Sequence, residues 1–95
     1  MHRPSESRQS LPSPSPDVVS RRLDDEVVLV HLKTNRIFSL SPTGARVWEL
    51  LSDGMTRPEI EAELLGDYDV SRDRVSAEID SLVGMLQAEG LVQGI

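Results

Sequence analysis

The sequence predicts an α+β domain in which a three-stranded antiparallel sheet is followed by three helices. Two observations predict it. Val27-Val28-Leu29-Val30-His31-Leu32-Lys33 and Arg36-Ile37-Phe38-Ser39-Leu40 are rich in β-branched and other apolar residues, as paired strands are. Beyond Ser41-Pro42-Thr43-Gly44-Ala45 the period changes, and Val47, Trp48, Leu50 and Leu51 recur at helical spacing. The junction therefore delivers a sheet edge directly onto a helical bundle.

In chain order, residues 1–16 read as a tail. They hold four prolines, five serines and a single aliphatic residue, Leu11, too little apolar surface to offset the entropy of ordering the chain. Residues 17–95 form the domain. Val18 to Leu23 is a weak first strand and Asp24-Asp25 a polar turn. Glu26 to Lys33 is the strongest strand signal. Thr34-Asn35 is the next turn, because Asn tolerates the positive φ of a tight hairpin. Arg36 to Leu40 returns antiparallel as a third strand at the sheet edge. Alternation groups Val28, Val30 and Leu32 with Phe38 and Leu40 on the face expected to meet the helices. The opposite face carries Val27, Leu29 and Ile37 beside His31 and Ser39, more apolar than a solvated face requires, which marks a candidate partner surface.

Ser41 is a good N-cap and Pro42 suits the first helical position, so the first helix runs to about Ser52 and stops near Gly54. Thr56-Arg57-Pro58-Glu59 has capping-box spacing and starts a short helix through Ile60, Leu64 and Leu65 to Gly66. Ser71 caps the third and longest helix, Arg72 to about Glu89, closed by Gly90. Its core stripe is Val75, Ile79, Leu82 and Leu86. Leu91-Val92 is extended. The last two helices, with the 66–70 connection, resemble a winged helix-turn-helix.

Composition excludes several chemistries. There is no cysteine, which removes disulfides, thiolate zinc sites and cysteine nucleophiles and fits a cytoplasmic protein. No secretory signal and no stretch of spanning length is apparent, so no membrane role is expected. His31 has no second histidine at metal spacing and reads as a partly exposed sheet residue. Asp67, Asp69 and Asp73 lack the central Gly and bidentate Glu of a calcium loop and read as solvated charge. No serine has an evident base and no phosphate loop is present, so no enzyme, metal or cofactor is expected. The net charge is −6, and from Asp17 onward eight basic side chains face fifteen acidic ones. Such a body repels nucleic acid unless its basic groups cluster. The third helix sets Arg72 and Arg74 against Asp73, Glu78, Asp80 and Glu89, so DNA readout is disfavoured.

Peptide binding fits better. An edge strand offers free N–H and C=O groups to an extended segment, each new hydrogen bond contributing about 1 kcal/mol net. Side-chain pockets must supply the rest. The third helix should lie beside the third strand as the second wall, with Val83 or Met85, on opposite flanks of its core stripe, lining the groove.

Val28 to Leu32, Asn35 to Leu40, Ser41-Pro42-Thr43-Gly44-Ala45, Trp48-Glu49-Leu50-Leu51, Glu59-Ile60, Leu64, Tyr68-Asp69-Val70-Ser71, and Leu82-Val83 through Gly90-Leu91-Val92 together resemble the PqqD-like family. The resemblance covers residues 17–92. That family is the recognition element for leader segments of ribosomally made, post-translationally modified peptides. It implies that the leader adds as a further strand to the third strand and lies against the third helix. By position, the binding residues would be Arg36, Ile37, Phe38 and Ser39 on the strand. On the helix they would be Val75, Ile79, Leu82 and Val83, with Glu78 or Arg72 as polar contacts.

A free-standing chain of this kind is similar to leader-binding proteins of lasso-peptide pathways. These would present the precursor to a separate cysteine-protease-like leader peptidase, a macrocyclase acting next. The alternatives are a PqqD-type chaperone for a radical enzyme in another modified-peptide pathway, a winged-helix DNA-binding regulator, and an interaction domain that dimerises through the third strand.

Overall fold

A computed structural model describes residues 11–94. Strands β2 (Val18–Leu23), β3 (Glu26–His31) and β4 (Arg36–Leu40) form an antiparallel meander in the order β2-β3-β4. Asp24 (φ 57°) and Asn35 (φ 59°) take the left-handed conformation in the two connections, which short polar side chains tolerate. The second connection is Leu32 to Asn35, closed by the Asn35 N–H donating to the His31 carbonyl at 2.8 Å. β4 ends the sheet, so one of its edges is unpaired among the described residues.

The register corrects the expected faces of β3. Leu29 stands opposite Phe38, and Val27 opposite Leu40, and these are the pairs directed at the helices. Val28 and Val30 stand opposite Ser39 and Ile37 on the outer face. A hairpin connection of even length always sets odd residues against even ones. Phe38 and Leu40 therefore cannot share a face with Val28 and Val30. His31 moves with Val27 and Leu29 and is buried rather than partly exposed, its Nδ1 accepting the Lys33 N–H at 3.2 Å.

Three helices follow: α1 (Pro42–Ser52), α2 (Arg57–Asp67) and α3 (Arg72–Ala88). Each N-terminus is capped by the residue expected. Ser41 accepts from the Gly44 N–H and Ser71 from the Arg74 N–H, while Thr56 and Glu59 form a complete capping box. Gly90 takes a left-handed φ of 71° just beyond α3, the usual helix stop. The core lies between the sheet and the helices. Leu29, Val47, Ile60, Leu64, Ile79, Leu86 and Leu91 are its most enclosed side chains, with Trp48 beside them. Arg46 joins α1 to α2, meeting Glu63 at 3.1 Å and Asp67 at 3.0 Å. No helix among the described residues is long and apolar enough to cross a membrane.

The body extends further toward the N-terminus than the boundary expected after Pro16. β1 (Ser13–Pro14) pairs antiparallel with β5 (Val92–Gln93), joining the start of the described chain to its end. The Ser15 N–H donates to the Leu91 carbonyl at 3.0 Å, and Leu11 packs on the core. Proline suits this place because a short edge strand needs few N–H donors. The rest of the expected tail, residues 1–10, lies outside the described residues.

Candidate functional site

One ion pair ties the start of β4 to the end of α3, and at the other end of β4 Gly44 of α1 lies between Leu40 and Leu82. At the start of β4, Arg36 Nη1 donates to Glu89 Oε1 at 2.7 Å. At its end, the chain turns through Ser41 into α1, and Gly44 lies where a Cβ would meet Leu40 Cβ at 3.6 Å and Leu82 Cδ1 at 3.8 Å. From Arg36 to Leu40 a strand rises about 13 Å. From Leu82 to Glu89 a helix rises about 10 Å. The lengths are comparable, and with Arg36 at Glu89 and both Leu40 and Leu82 near Gly44, β4 is antiparallel to the C-terminal half of α3.

A trough follows α3 from there. Its first section, of about 240 Å³, has Ser41, Thr43, Gly44 and Val47 on one side and Glu78, Ser81, Leu82 and Met85 on the other. A second section of about 140 Å³ shares Ser41, Thr43 and Glu78 and continues to Leu64, Tyr68, Val70 and Arg74. Gly44 deepens the floor, since any larger side chain there would project toward Leu82.

The residues expected to bind peptide divide into four groups. Arg36, Ile37, Phe38 and Ser39 all lie on the free edge. Ile37 and Ser39 face outward, and Arg36 and Phe38 face the helices, the Arg36 guanidinium carbon 5.3 Å from the Phe38 ring centroid. On α3, Glu78 and Leu82 line the trough. Ile79 and Val83 do not: they are buried in the core, and Val75 is buried as well, contributing to the wall only in the second section. Arg72 is exposed but lies about 120° around the helix from Glu78 at 3.6 residues per turn. It is absent from both sections of the trough, and Arg74 lines the second.

The expected core stripe holds at Val75, Ile79 and Leu86 and differs at one position. Leu82 forms the wall and Val83 the core. Of the two flanking candidates Met85, partly buried and adaptable in shape, is the one that lines the trough. Ser81 and Glu89 were not expected at all. Their signal in the sequence was helical spacing from Glu78 and Met85.

Chemically, the site offers backbone hydrogen-bonding groups along one edge, an apolar wall, and a few charges of both signs. Among the described residues no group of three His, Asp or Glu side chains is placed to hold a metal. The outer face of the sheet is a separate feature. Val19, Val30 and Ile37 form a row across all three strands. Leu23 stands on the same face, and so does Leu32, whose N–H extends the ladder to Asp17. Four of the five exposed large hydrophobic residues, Val19, Leu23, Leu32 and Ile37, therefore share this face, Ile37 being 69% exposed.

Comparison with known proteins places this geometry in context. The family described as coenzyme PQQ synthesis protein D (PqqD) matches residues 26–92. The fold is similar to that of TbiB1 in complex with the TbiA(beta) leader peptide. The TM-score is 0.83 at 36% identity, covering 87% of this chain and 96% of that one. It is also similar to a lasso peptide synthetase B1 complexed with the leader peptide, with a TM-score of 0.79. At 23% identity over 85% of this chain and 95% of that one, this second likeness bears on the fold alone. No curated protein matches the sequence.

Proposed function

The chain belongs to the PqqD family, and from that premise we propose that it captures the leader segment of a ribosomally made precursor peptide in lasso-peptide biosynthesis. The observation that carries this reading is the unpaired β4 edge held beside a helix with an open trough. The match to TbiB1, seen with a leader peptide bound, supports it. The leader adds to Arg36, Ile37, Phe38 and Ser39 as a fourth strand, and its helix-facing side chains enter the trough against Glu78, Leu82 and Met85. Capture of this kind makes and breaks no covalent bond, so the protein acts by binding rather than by catalysis. It works in the cytoplasm, where a ribosomal product is released.

Magnitudes show why both walls are needed. Five residues at an edge supply roughly four or five backbone hydrogen bonds, about 4–5 kcal/mol net. Micromolar affinity requires about 8 kcal/mol after the entropy of ordering the leader is met. Two apolar leader side chains, each covering about 100 Å² in the trough, add about 5 kcal/mol. Strand pairing alone is therefore too weak, and the trough decides which peptide is held.

The outer sheet face has a different use. Its apolar row, Val19, Val30 and Ile37, reaches the β4 edge where the leader joins, so a captured leader extends the same surface. We assign this face to the separate cysteine-protease-like leader peptidase, which then receives protein and leader as one sheet; a macrocyclase acts afterward. Titrating a fluorescent leader peptide from the precursor gene beside this chain's own tests the central claim. Saturable binding at tens of micromolar or tighter is expected, and its absence would refute the reading.

A further inference from the structure

Arg36 holds more hydrogen-bonding capacity than the fold uses. It lies opposite His31 and so on the helix-facing side of β4, at the free edge. Its Nη1 serves Glu89, and among the described residues no acceptor is assigned to Nε or Nη2. Its guanidinium lies near the Phe38 ring, 5.3 Å from the centroid, a contact that restrains its orientation. The side chain is 61% exposed. A cation has a physical reason to be here. Glu89 caps the C-terminus of α3, where the helix dipole concentrates negative charge, and the last turn of α3 contains no basic residue.

A strand added to β4 turns every second side chain toward the helices, in step with Arg36, Phe38 and Leu40. The leader residue beside Arg36 comes to about 5 Å of it, Cβ to Cβ. The leader residue two positions along comes beside Phe38, an apolar ring packed against the core. We propose that Arg36 is an anion receptor at the end of the groove, selecting leaders with Asp or Glu beside it and an apolar residue two positions away. The proposal rests on the leader-binding reading above. Arg36 stands between two carboxylates, Glu89 and the leader's, with separate donors for each. A leader lysine at that position meets the guanidinium directly and is disfavoured. Because the chain's net charge is −6, its overall field repels acidic peptides. A preference for acid at one position is therefore traceable to Arg36 and not to the background.

The test is a display selection from random peptide segments long enough to pair with β4, run on the full chain, on Arg36→Glu and on Glu89→Gln. Circular dichroism checks that each variant is folded, and the selected peptides are then titrated by fluorescence anisotropy. The wild-type chain is expected to enrich an acid-x-apolar pattern, and changing that acid to Lys should weaken binding about five- to tenfold. Arg36→Glu should enrich Lys or Arg at the same position. Glu89→Gln should keep the preference for acid, since Arg36 then has no competing partner. Enrichment without an acid, an acid preference that survives Arg36→Glu, or its loss in Glu89→Gln each overturns the role of Arg36 and leaves leader capture intact. If the wild-type chain enriches no segment, leader capture falls and this proposal with it.

Discussion

Ile79 and Leu82 are both apolar, three residues apart on α3, and the structure gives them opposite duties. Ile79 is 0% exposed in the core, while Leu82 is partly open in the trough. Ile79→Ala leaves a cavity among side chains that cannot fully collapse, which costs about 2–4 kcal/mol. For a body of this size the total stability is about 4–12 kcal/mol. A loss of 3 kcal/mol lowers the melting temperature by roughly 12–24 °C. Leader affinity, measured well below that temperature, should be unchanged because Ile79 has no surface to offer.

Leu82→Ala should do the reverse. Its residual exposed surface and the leader side chain covering it together amount to about 50–80 Å², or 1–2 kcal/mol of binding. That is about a five- to thirtyfold rise in Kd, with a smaller loss of stability. Urea denaturation and leader anisotropy on the same preparations separate the two effects. A tenfold affinity loss in folded Ile79→Ala, with Leu82→Ala unaffected, would show that the trough runs along a different face of α3 and refute the geometry.

Three further outcomes follow from the same frame. Phe38→Pro removes an N–H from β4 and a ring from the core margin, and should abolish leader binding together with about 3 kcal/mol of stability or more, read by anisotropy and urea midpoint. Val19→Asp lies on the outer face of β2, 49% exposed and away from β4. It should leave leader affinity within twofold while reducing retention of the leader peptidase on the immobilised chain, and equal retention would remove that face from the partner surface. Deleting residues 1–16 removes β1 and the Ser15–Leu91 hydrogen bond. It should lower stability by about 1–3 kcal/mol in urea titration through lost burial of Leu11 and Pro12, whereas deleting residues 1–10 is the control that keeps the strap.

What could be read from the sequence was local chemistry. Ser41, Thr56 and Ser71 announce their helices through side-chain oxygens placed to meet N–H groups of the first turn, and that signal needs no tertiary information. What could not be read was parity. Val27-Val28-Leu29-Val30 is apolar at every position, so alternation alone does not say which pair faces inward. The answer comes from the connection between β3 and β4. The same ambiguity recurs at Leu82-Val83, two adjacent apolar residues about 100° apart on the helix, of which only packing against the other helices selects one. The β1 strap gave no signal because Ser13-Pro14 holds its place through pairing with Val92-Gln93, far away in sequence.

The free edge itself is a consequence of how β4 ends. Proteins cover or blunt exposed edges because unpaired strands invite aggregation. Here the chain cannot return as a fourth strand, because Ser41 caps α1 immediately and Pro42 commits it to the helix. The turn carries the backbone beneath the sheet, and Gly44 seats α1 close to Leu82. The hydrogen-bonding groups along the outer edge of β4 are thereby left unpaired among the described residues, and the trough begins just past its end at Ser41. The edge is kept safe by being only five residues long and by beginning with a charged residue, Arg36. On the proposed reading, a segment with an unsuited pattern gains only the backbone hydrogen bonds, which are too weak to hold it, whereas one that also fills the trough adds enough apolar burial to stay. Under the proposed leader capture, selectivity for one extended peptide and resistance to indiscriminate strand addition are the same property.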